Sequence, residues 1–191
     1  AKGSPVERLV HETVLRAQAQ AIYSPRNIGH FGLALGRYAH FTSPIRRYAD
    51  LAVHRALIRG LKLGEGALED SDRFAEIATH LSKTERRAAA AERDAISRFA
   101  AHLAASRLGE EHDGVVTGVT RFGLFVRIDT LGVDGLLPLS ALSSGEFLEH
   151  DERRHALVGR RGKIRHRLGE NIRVRIGEAD PHSGRIAFQL A

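Results

Sequence analysis

Between His40 and Arg55 the chain reads HFTSPIRRYADLAVHR, placing two adjacent arginines, a carboxylate and two histidines in one short run. A guanidinium group is a planar fork that matches the oxygens of a phosphate, so Arg46 and Arg47 point to a phosphate ester as ligand. Arg46, Asp50 and His54 stand at i, i+4 and i+8. On a helix that spacing forms one stripe, with Asp50 placed to hydrogen-bond both neighbours. Ser43 is a good helix N-cap and Pro44 suits the first helical position, which predicts a helix from Pro44 to about Leu61. Ile45, Tyr48, Ala52, Ala56 and Arg59 then lie near one face. Such a helix start adds backbone N–H groups and partial positive charge beside the arginines, a good setting for a phosphate. A surface helix laced with intrahelical ion pairs explains the same spacing, and spacing alone leaves both readings open.

The elements that must hold this run follow from periodicity and punctuation. Ser4-Pro5-Val6-Glu7 has the form of a capping box, predicting a helix from Pro5 to about Ile22 with Val6, Leu9, Val10, Val14 and Ala17 as its apolar stripe. Pro25 stops it, and the glycine-bearing stretch from Asn27 to Phe41 reads as short strand or loop. Glycines 60, 64 and 66 end the Pro44 helix and form a linker. From Ser71 to about Leu108 nothing breaks a helix. Phe74, Ile77, Leu81, Ala88, Ala91, Ala95, Phe99 and Leu103 recur at threes and fours, and the small residues imply close packing, with Gly109 as the stop.

Beyond Gly109 the period changes to two. Runs at 114–119, 123–128 and 133–137, a short helical turn at Leu139–Leu142, a polar hairpin around Gly159–Gly162, and runs at 172–176 and 186–190 predict a five-stranded closed barrel of OB type. Phe122 and Phe125 flank the glycine of the second strand; on an exposed barrel face they can stack on bases, and either one fits the barrel core equally well. Arg121, Arg127, Arg173 and Arg175 would then track phosphates, or simply form a solvated face. The segment from Arg153-Arg154-His155 to Arg165-His166-Arg167 is strongly basic. Solvated charges guarding an edge strand are the simpler reading, and a non-specific phosphate clamp is the functional one.

Composition narrows the class. Lys and Arg total 29 against 23 Asp and Glu, a net +6 that suits a nucleic-acid partner without requiring one. The chain has no Cys, which excludes disulfides and thiolate metal sites. No apolar run approaches a membrane span and no signal-peptide pattern opens the chain, so no membrane partner and a cytoplasmic location are expected. His30 and His40 lie beside aromatic residues without metal-ligand spacing, and no metal site is expected from this chain alone. His11, His80, His102 and His112 read as helix-surface residues. The chain lacks Met even at position 1, as though it were a piece of a longer product.

HFTSPIRRYADL, preceded by Tyr23-Ser24-Pro25 and His30-Phe31-Gly32-Leu33, resembles the end of the catalytic domain of the ribonuclease II/ribonuclease R (RNB) family, its ribonuclease R branch most nearly. Thr120–Val126 followed by Gly135–Ser140 resembles an S1-type RNA-binding domain, although many such domains carry His where Pro138 stands. The resemblance implies an α+β chain: residues 1–108 as the mainly helical C-terminal part of an RNB catalytic domain, and 109–191 as a five-stranded OB-fold (S1-type) barrel. It implies a processive hydrolytic 3′→5′ exoribonuclease acting on single-stranded RNA ends and releasing nucleoside 5′-monophosphates. Arg46, then Arg47, is implied at the scissile phosphate. Thr42 and Ser43 are implied as donors to RNA, and Tyr23 and His40 as channel lining. Glu92, in Ala91-Glu92-Arg93-Asp94, is implied near the substrate, although a plain helix-surface role fits it too. The family's Mg²⁺ is held by an aspartate cluster upstream of this motif. Here Asp50, Asp70, Asp72, Asp94 and Asp113 are scattered, so the Mg²⁺ ligands are expected from an upstream part of the catalytic domain, in the same protein or a second chain. A non-catalytic RNA-binding piece is the alternative.

Overall fold

The structure, a computed structural model, describes residues 7–67, 73–142 and 147–191, apart from the side chains of Arg8, Leu9, Glu12 and Arg161. The capping box at Ser4–Glu7, the start of the first helix at Pro5, Val6 and the Leu9 side chain therefore lie outside the described residues, as do Asp70, Ser71 and Asp72. The chain forms two compact units, one of residues 1–18 with 91–191 and one of residues 19–90.

In the first unit, strands β1 (Glu111–Thr120), β2 (Gly123–Ile128), β3 (Val133–Pro138), β7 (Asn171–Asp180) and β8 (Arg185–Leu190) close a barrel in the order β1-β2-β3-β8-β7. Every pairing is antiparallel except β3 with β8, where Leu136 stands beside Ala187. The period of two is visible in burial: Leu124, Val126 and Ile128 face inward while Phe125 and Arg127 face out. Val116, Leu137, Ile172, Val174, Ile176 and Phe188 complete the filling. After β3 a single helical turn, α4 (Leu139–Leu142), plugs one end through Leu142. The expected hairpin around Gly159–Gly162 is the antiparallel pair β5 (Ala156–Val158) and β6 (Ile164–Arg167), joined through a 3-10 turn at Arg160–Gly162, and β4 (Glu149–Asp151) extends it to a three-stranded sheet. Leu157 of β5 joins the barrel core.

Two helical segments complete this unit. Helix α1 spans Glu7–Ala17 and ends short of the expected Ile22; Val10 and Val14 of its proposed apolar stripe are exposed, and Arg16 donates to the Thr117 carbonyl of β1. The long helix α3 runs unbroken from Phe74 to Ala105. Its expected stripe holds only at the start: Phe74, Ile77 and Leu81 are half-buried, whereas Ala88, Ala91, Ala95 and Phe99 are exposed, and Ala101 and Ala104 are fully buried against the barrel core. Alanine is short enough to bring a helix backbone onto a barrel end, which the larger residues one turn away cannot do.

The second unit holds α2 (Tyr48–Leu61), the first part of α3, and an irregular stretch containing a 3-10 turn at Phe31–Leu33 and a bridge between His30 and Leu35. Gly29 sits at φ +81°, and a Cβ there would run into the Leu35 carbonyl, so the bridge needs glycine. Arg55 donates to the carbonyls of Gly66 and Ala67 (3.2 Å each), pinning the chain after α2 to the helix flank.

Candidate functional site

The arginine run folds differently from its spacing. Helix α2 begins at Tyr48, with Arg47 as its N-cap residue and no side-chain cap bond. Residues 44–46 form a turn in which the N–H groups of Arg46 and Arg47 donate to the Ser43 carbonyl (3.3 and 3.0 Å). Ser43 thus closes the turn through its backbone and does not cap a helix. Ile45, expected on the packed face, is 98% exposed, and the buried residues of α2 are Asp50 and Ala52.

Asp50 is the centre of this site. It is the one fully buried charged residue among the described residues. Its Oδ2 accepts from the Ser43 N–H at 2.8 Å and from Arg47 Nη2 at 2.9 Å, and its Oδ1 faces His40 Nδ1 at 3.9 Å. Burial alone would raise its pKa, but the Arg47 guanidinium and the Ser43 N–H outweigh burial and hold the carboxyl below the usual carboxylate range. Asp50 in return raises the pKa of Arg47. The predicted stripe Arg46–Asp50–His54 is accordingly not a hydrogen-bonded row. Asp50 pairs with Arg47, and His54 bonds the Phe41 carbonyl through Nε2 (2.8 Å) while stacking on the Phe41 ring. The reason is the turn: with the helix beginning at residue 48, Arg46 lies outside it and the i, i+4 relation is broken.

The helix dipole favours an anion in the first turn, and Asp50 occupies that position. The helix start is therefore already neutralised from within. Arg47 is committed to that carboxylate, whereas Arg46 is exposed, its Nη2 only 3.4 Å from Ser43 Oγ. Thr42 is exposed beside them.

Tyr23 and His40 extend the polar node. Tyr23 Oη lies 3.1 Å from His40 Nδ1, and the rings of Tyr23, His40, Tyr38 and His30 meet edge to face in succession at 5.0–5.6 Å. Burial, aided by a hydrogen bond to Glu85, pushes the Tyr23 hydroxyl up to about 12. Its backbone N–H is tied to Ser82 Oγ at 2.9 Å, fixing the stretch to α3. Glu85 and Tyr38 were not singled out from sequence; only the aromatic–histidine alternation hinted at the latter.

In the barrel unit, Phe122 and Phe125 are 63% and 45% exposed, and neither fills the core, whose aromatic is Phe188. Gly123 between them has φ +145°, and a Cβ there would strike the Leu137 carbonyl. The Arg121 guanidinium lies 4.7 Å from the Phe122 ring centroid. The other barrel arginines are paired with carboxylates: Arg127 with Asp134 (3.0 Å), Arg173 with Asp113 and Glu111 (3.1 and 3.4 Å), and Arg175 with Glu111 (2.6 Å). Arg175 and Arg173 hold the Glu111 carboxyl low. These arginines form cross-strand charge pairs on β1, β2, β3 and β7, not a free basic track. His112 sits on strand β1, not on a helix surface as expected, and Asp113 follows it on the same strand. Glu92 is exposed on α3 and makes no hydrogen bond or ion pair among the described residues, while its neighbour Asp94 pairs with Arg98 (3.0 Å).

Among the described residues no group of three or more His, Asp or Glu side chains could hold a metal ion. No helix among them is long and apolar enough to cross a membrane.

Residues 1–62 match the RNB domain family and residues 106–190 the S1 RNA binding domain family. Ribonuclease R of Aquifex aeolicus is 47% identical over 99% of this chain and 27% of its own length. Ribonuclease R of Escherichia coli is 36% identical over 97% of this chain and 24% of its own length. The structure of Mycoplasma genitalium ribonuclease R in complex with ribose-methylated single-stranded RNA covers all of this chain, with a TM-score of 0.87 at 28% identity, over 30% of that structure's chain. The chain thus spans about a quarter of the length of the curated relatives it matches. With RNB and S1 segments in this order and one structure covering both, the chain belongs to the ribonuclease II/ribonuclease R (RNB) family.

Proposed function

We propose that this chain supplies the arginine side and the S1 barrel of a hydrolytic 3′→5′ exoribonuclease, with residues 1–108 belonging to the catalytic domain and 109–191 forming the RNA-binding domain. The observation that carries the reading is the unequal fate of two neighbouring arginines: Arg47 is locked to buried Asp50, while Arg46 projects from the turn that this pair braces. Arg46 is the residue that contacts the scissile phosphate, and Arg47 is a positioning residue. Water attacks phosphorus in line, the new P–O bond forms as the bond to the 3′ oxygen of the preceding nucleotide breaks, and the water's proton passes to that oxygen. The terminal nucleotide leaves as a 5′-monophosphate. Charge builds on the non-bridging oxygens during attack, and a guanidinium held at that place stabilises the transition state more than the ground state. Thr42 and Ser43 flank the phosphate, Tyr23 and His40 border the RNA path, and Glu92 contacts RNA from α3. The Mg²⁺ of this chemistry would be held by ligands other than the described residues and would activate the attacking water. Cytoplasmic RNA is the natural substrate pool.

The test is hydrolysis of end-labelled single-stranded RNA with Mg²⁺ by this chain alone, and by the chain joined to the aspartate-bearing part of the catalytic domain. Monophosphate release is expected only from the joined protein. There, Arg46→Ala lowers kcat by about 10²–10³, the loss typical of one transition-state donor, with a much smaller change in RNA affinity. An unchanged turnover rate refutes the role of Arg46. Joined protein that binds RNA without cleaving it leaves the chain an RNA-binding module.

A further inference from the structure

His40 is held by more contacts than bordering a path requires. Its Nδ1 lies 3.1 Å from Tyr23 Oη, and the buried Asp50 Oδ1 stands 3.9 Å from the same nitrogen. The rings of Tyr23 and Tyr38 both meet the imidazole edge to face. Tyr23 is itself fixed from α3. Its backbone N–H donates to Ser82 Oγ, and its hydroxyl hydrogen-bonds Glu85, three residues further along the same helix face. All of these residues belong to the unit of residues 19–90.

This arrangement decides which ring nitrogen of His40 carries the proton. Tyr23 has one proton to donate, and burial together with Glu85 keeps that proton on the hydroxyl by pushing it up to about 12. An ionised carboxylate only accepts, so the proton points to Glu85 and Oη is left as an acceptor toward His40. Nδ1 is then the N–H nitrogen. Asp50 favours the same assignment independently, because its Oδ1 is buried without a hydrogen-bond partner and faces that nitrogen. A neutral imidazole protonated at Nδ1 is an acceptor at Nε2. Nε2 makes no hydrogen bond among the described residues and is not one of their buried unpaired atoms, so it opens to solvent.

One carboxylate ties this nitrogen to the arginine turn: Asp50 Oδ2 braces the turn that carries Arg46, while Oδ1 faces His40. A lone pair there has no use for a phosphate oxygen, which also only accepts. Beside each phosphate, RNA offers one donor that does not depend on sequence, the ribose 2′-hydroxyl. We infer that His40, held as the Nδ1–H tautomer by Tyr23, Glu85 and Asp50, accepts a hydrogen bond from a ribose 2′-hydroxyl at Nε2 and so selects RNA over DNA. This deepens the reading of His40 as bordering the RNA path and rests on it. Arginines alone grip the phosphates of either nucleic acid, so the discrimination needs a group of this kind.

Two measurements test this. Nitrogen-15 NMR of the histidine-labelled chain at about pH 8, where ordinary imidazoles are neutral, is expected to show His40 protonated at Nδ1 and bare at Nε2, with His40→Gln identifying its signals. In the chain joined to the aspartate-bearing part of the catalytic domain, affinity and turnover are read on strands carrying a single 2′-deoxy sugar, moved stepwise inward from the 3′ end. At one position the parent should lose about 2- to 12-fold, the worth of one neutral hydrogen bond. His40→Ala should lose as much on the all-ribose strand and nothing further on that deoxy strand. His40→Gln, whose side-chain carbonyl accepts in place of Nε2, retains a preference for ribose there. A proton on Nε2, a parent indifferent to every deoxy position, or equal losses of His40→Ala on ribose and deoxy strands overturns the inference; the last is the pattern of a base for the attacking water or of a contact to a base edge. Should His40→Ala not fold, the tautomer and the deoxy series of the parent still decide. Joined protein that binds RNA without cleaving it overturns the exoribonuclease reading and leaves His40 to be judged by affinity, whereas cleavage that ignores the 2′ position removes only this role. Joined protein that binds no RNA overturns both.

Discussion

Phe122→Ala and Phe125→Ala give the cleanest measure of what the barrel contributes to RNA. Both rings stand outside the core, at 63% and 45% exposure, so truncating them leaves the barrel filling intact and shifts stability by no more than about 0.5 kcal/mol. Their effect on RNA is larger. Stacking of one base on an aromatic ring is worth about 1–3 kcal/mol, so each truncation weakens single-stranded RNA by about 5- to 140-fold at about 1.4 kcal/mol per decade. Phe122 is expected at the upper end. One of its faces lies under the Arg121 guanidinium at 4.7 Å, so its exposure belongs mainly to the opposite face, where a base completes an Arg–Phe–base sandwich. Arg121→Ala then also weakens binding, by the ~0.5–1 kcal/mol of an exposed cation–π contact, instead of strengthening it by freeing a face.

The assay is anisotropy with a labelled single strand, a matching strand of abasic units, and a salt series. Stacking releases no counterions, so the phenylalanine variants keep the parent's salt slope and lose nothing on the abasic strand. If both variants remain within about twofold of the parent on the normal strand while their thermal unfolding is unchanged, the rings are not stacking platforms. Equal losses on normal and abasic strands refute the mechanism in another way, because the rings would then be shaping the barrel and not meeting bases.

Other perturbations test the elements that hold the sites. Asp50 has its carboxyl below the usual range in the folded chain, so its contribution to stability is complete above the unfolded value of about 4 and is lost as pH falls from there through the lower folded value. Asp50→Asn should flatten the melting temperature against pH below about pH 4, and an identical acid slope in variant and parent rejects the pairing with Arg47. Phe188 is 1% exposed at the barrel centre, and Phe188→Ala should cost about 3–5 kcal/mol in denaturant unfolding of the barrel. A cost under ~1 kcal/mol would mean that the core closes without it.

The barrel was legible from sequence because its signals are local and agree with one another. Alternation in Leu124–Ile128 and Ile172–Ile176 survives in the burial pattern residue for residue. Turn glycines fall where the chain reverses, and the short helical turn after β3 is where its apolar run predicts. The arginine run was less legible because two local rules conflict there. Ser43-Pro44 is a good helix opening by residue type, yet Asp50 reaches back to the Ser43 N–H and makes Tyr48 the first helical residue. A side chain that closes a turn seven residues earlier leaves no periodic trace. The pairing of the barrel arginines was hidden for a similar reason: Arg173 meets Asp113 across strands sixty residues apart in sequence. Only the register of β1 on β7 reveals it.

The two arginine environments have a common logic that bears on how the RNA is held. A guanidinium already saturated by a carboxylate cannot bind phosphate without first giving up that partner, so its net gain from RNA is small and only weakly dependent on salt. Arg47, Arg127, Arg173 and Arg175 are all of this kind. They stiffen a turn and two strand seams, and the β2–β3 seam carries Phe125 exposed beside Arg127 on β2. Arg46, by contrast, is exposed and reaches only the Ser43 hydroxyl, at 3.4 Å. Phosphate contact at Arg46 and base contact at Phe122 and Phe125 therefore rest on different side chains. The separation has a measurable consequence in the joined protein: turnover should follow substitution at Arg46, base composition should follow substitutions at Phe122 and Phe125, and a double substitution of one residue from each group should add, since no side chain is shared between them. Strong non-additivity would mean that one continuous contact carries both terms.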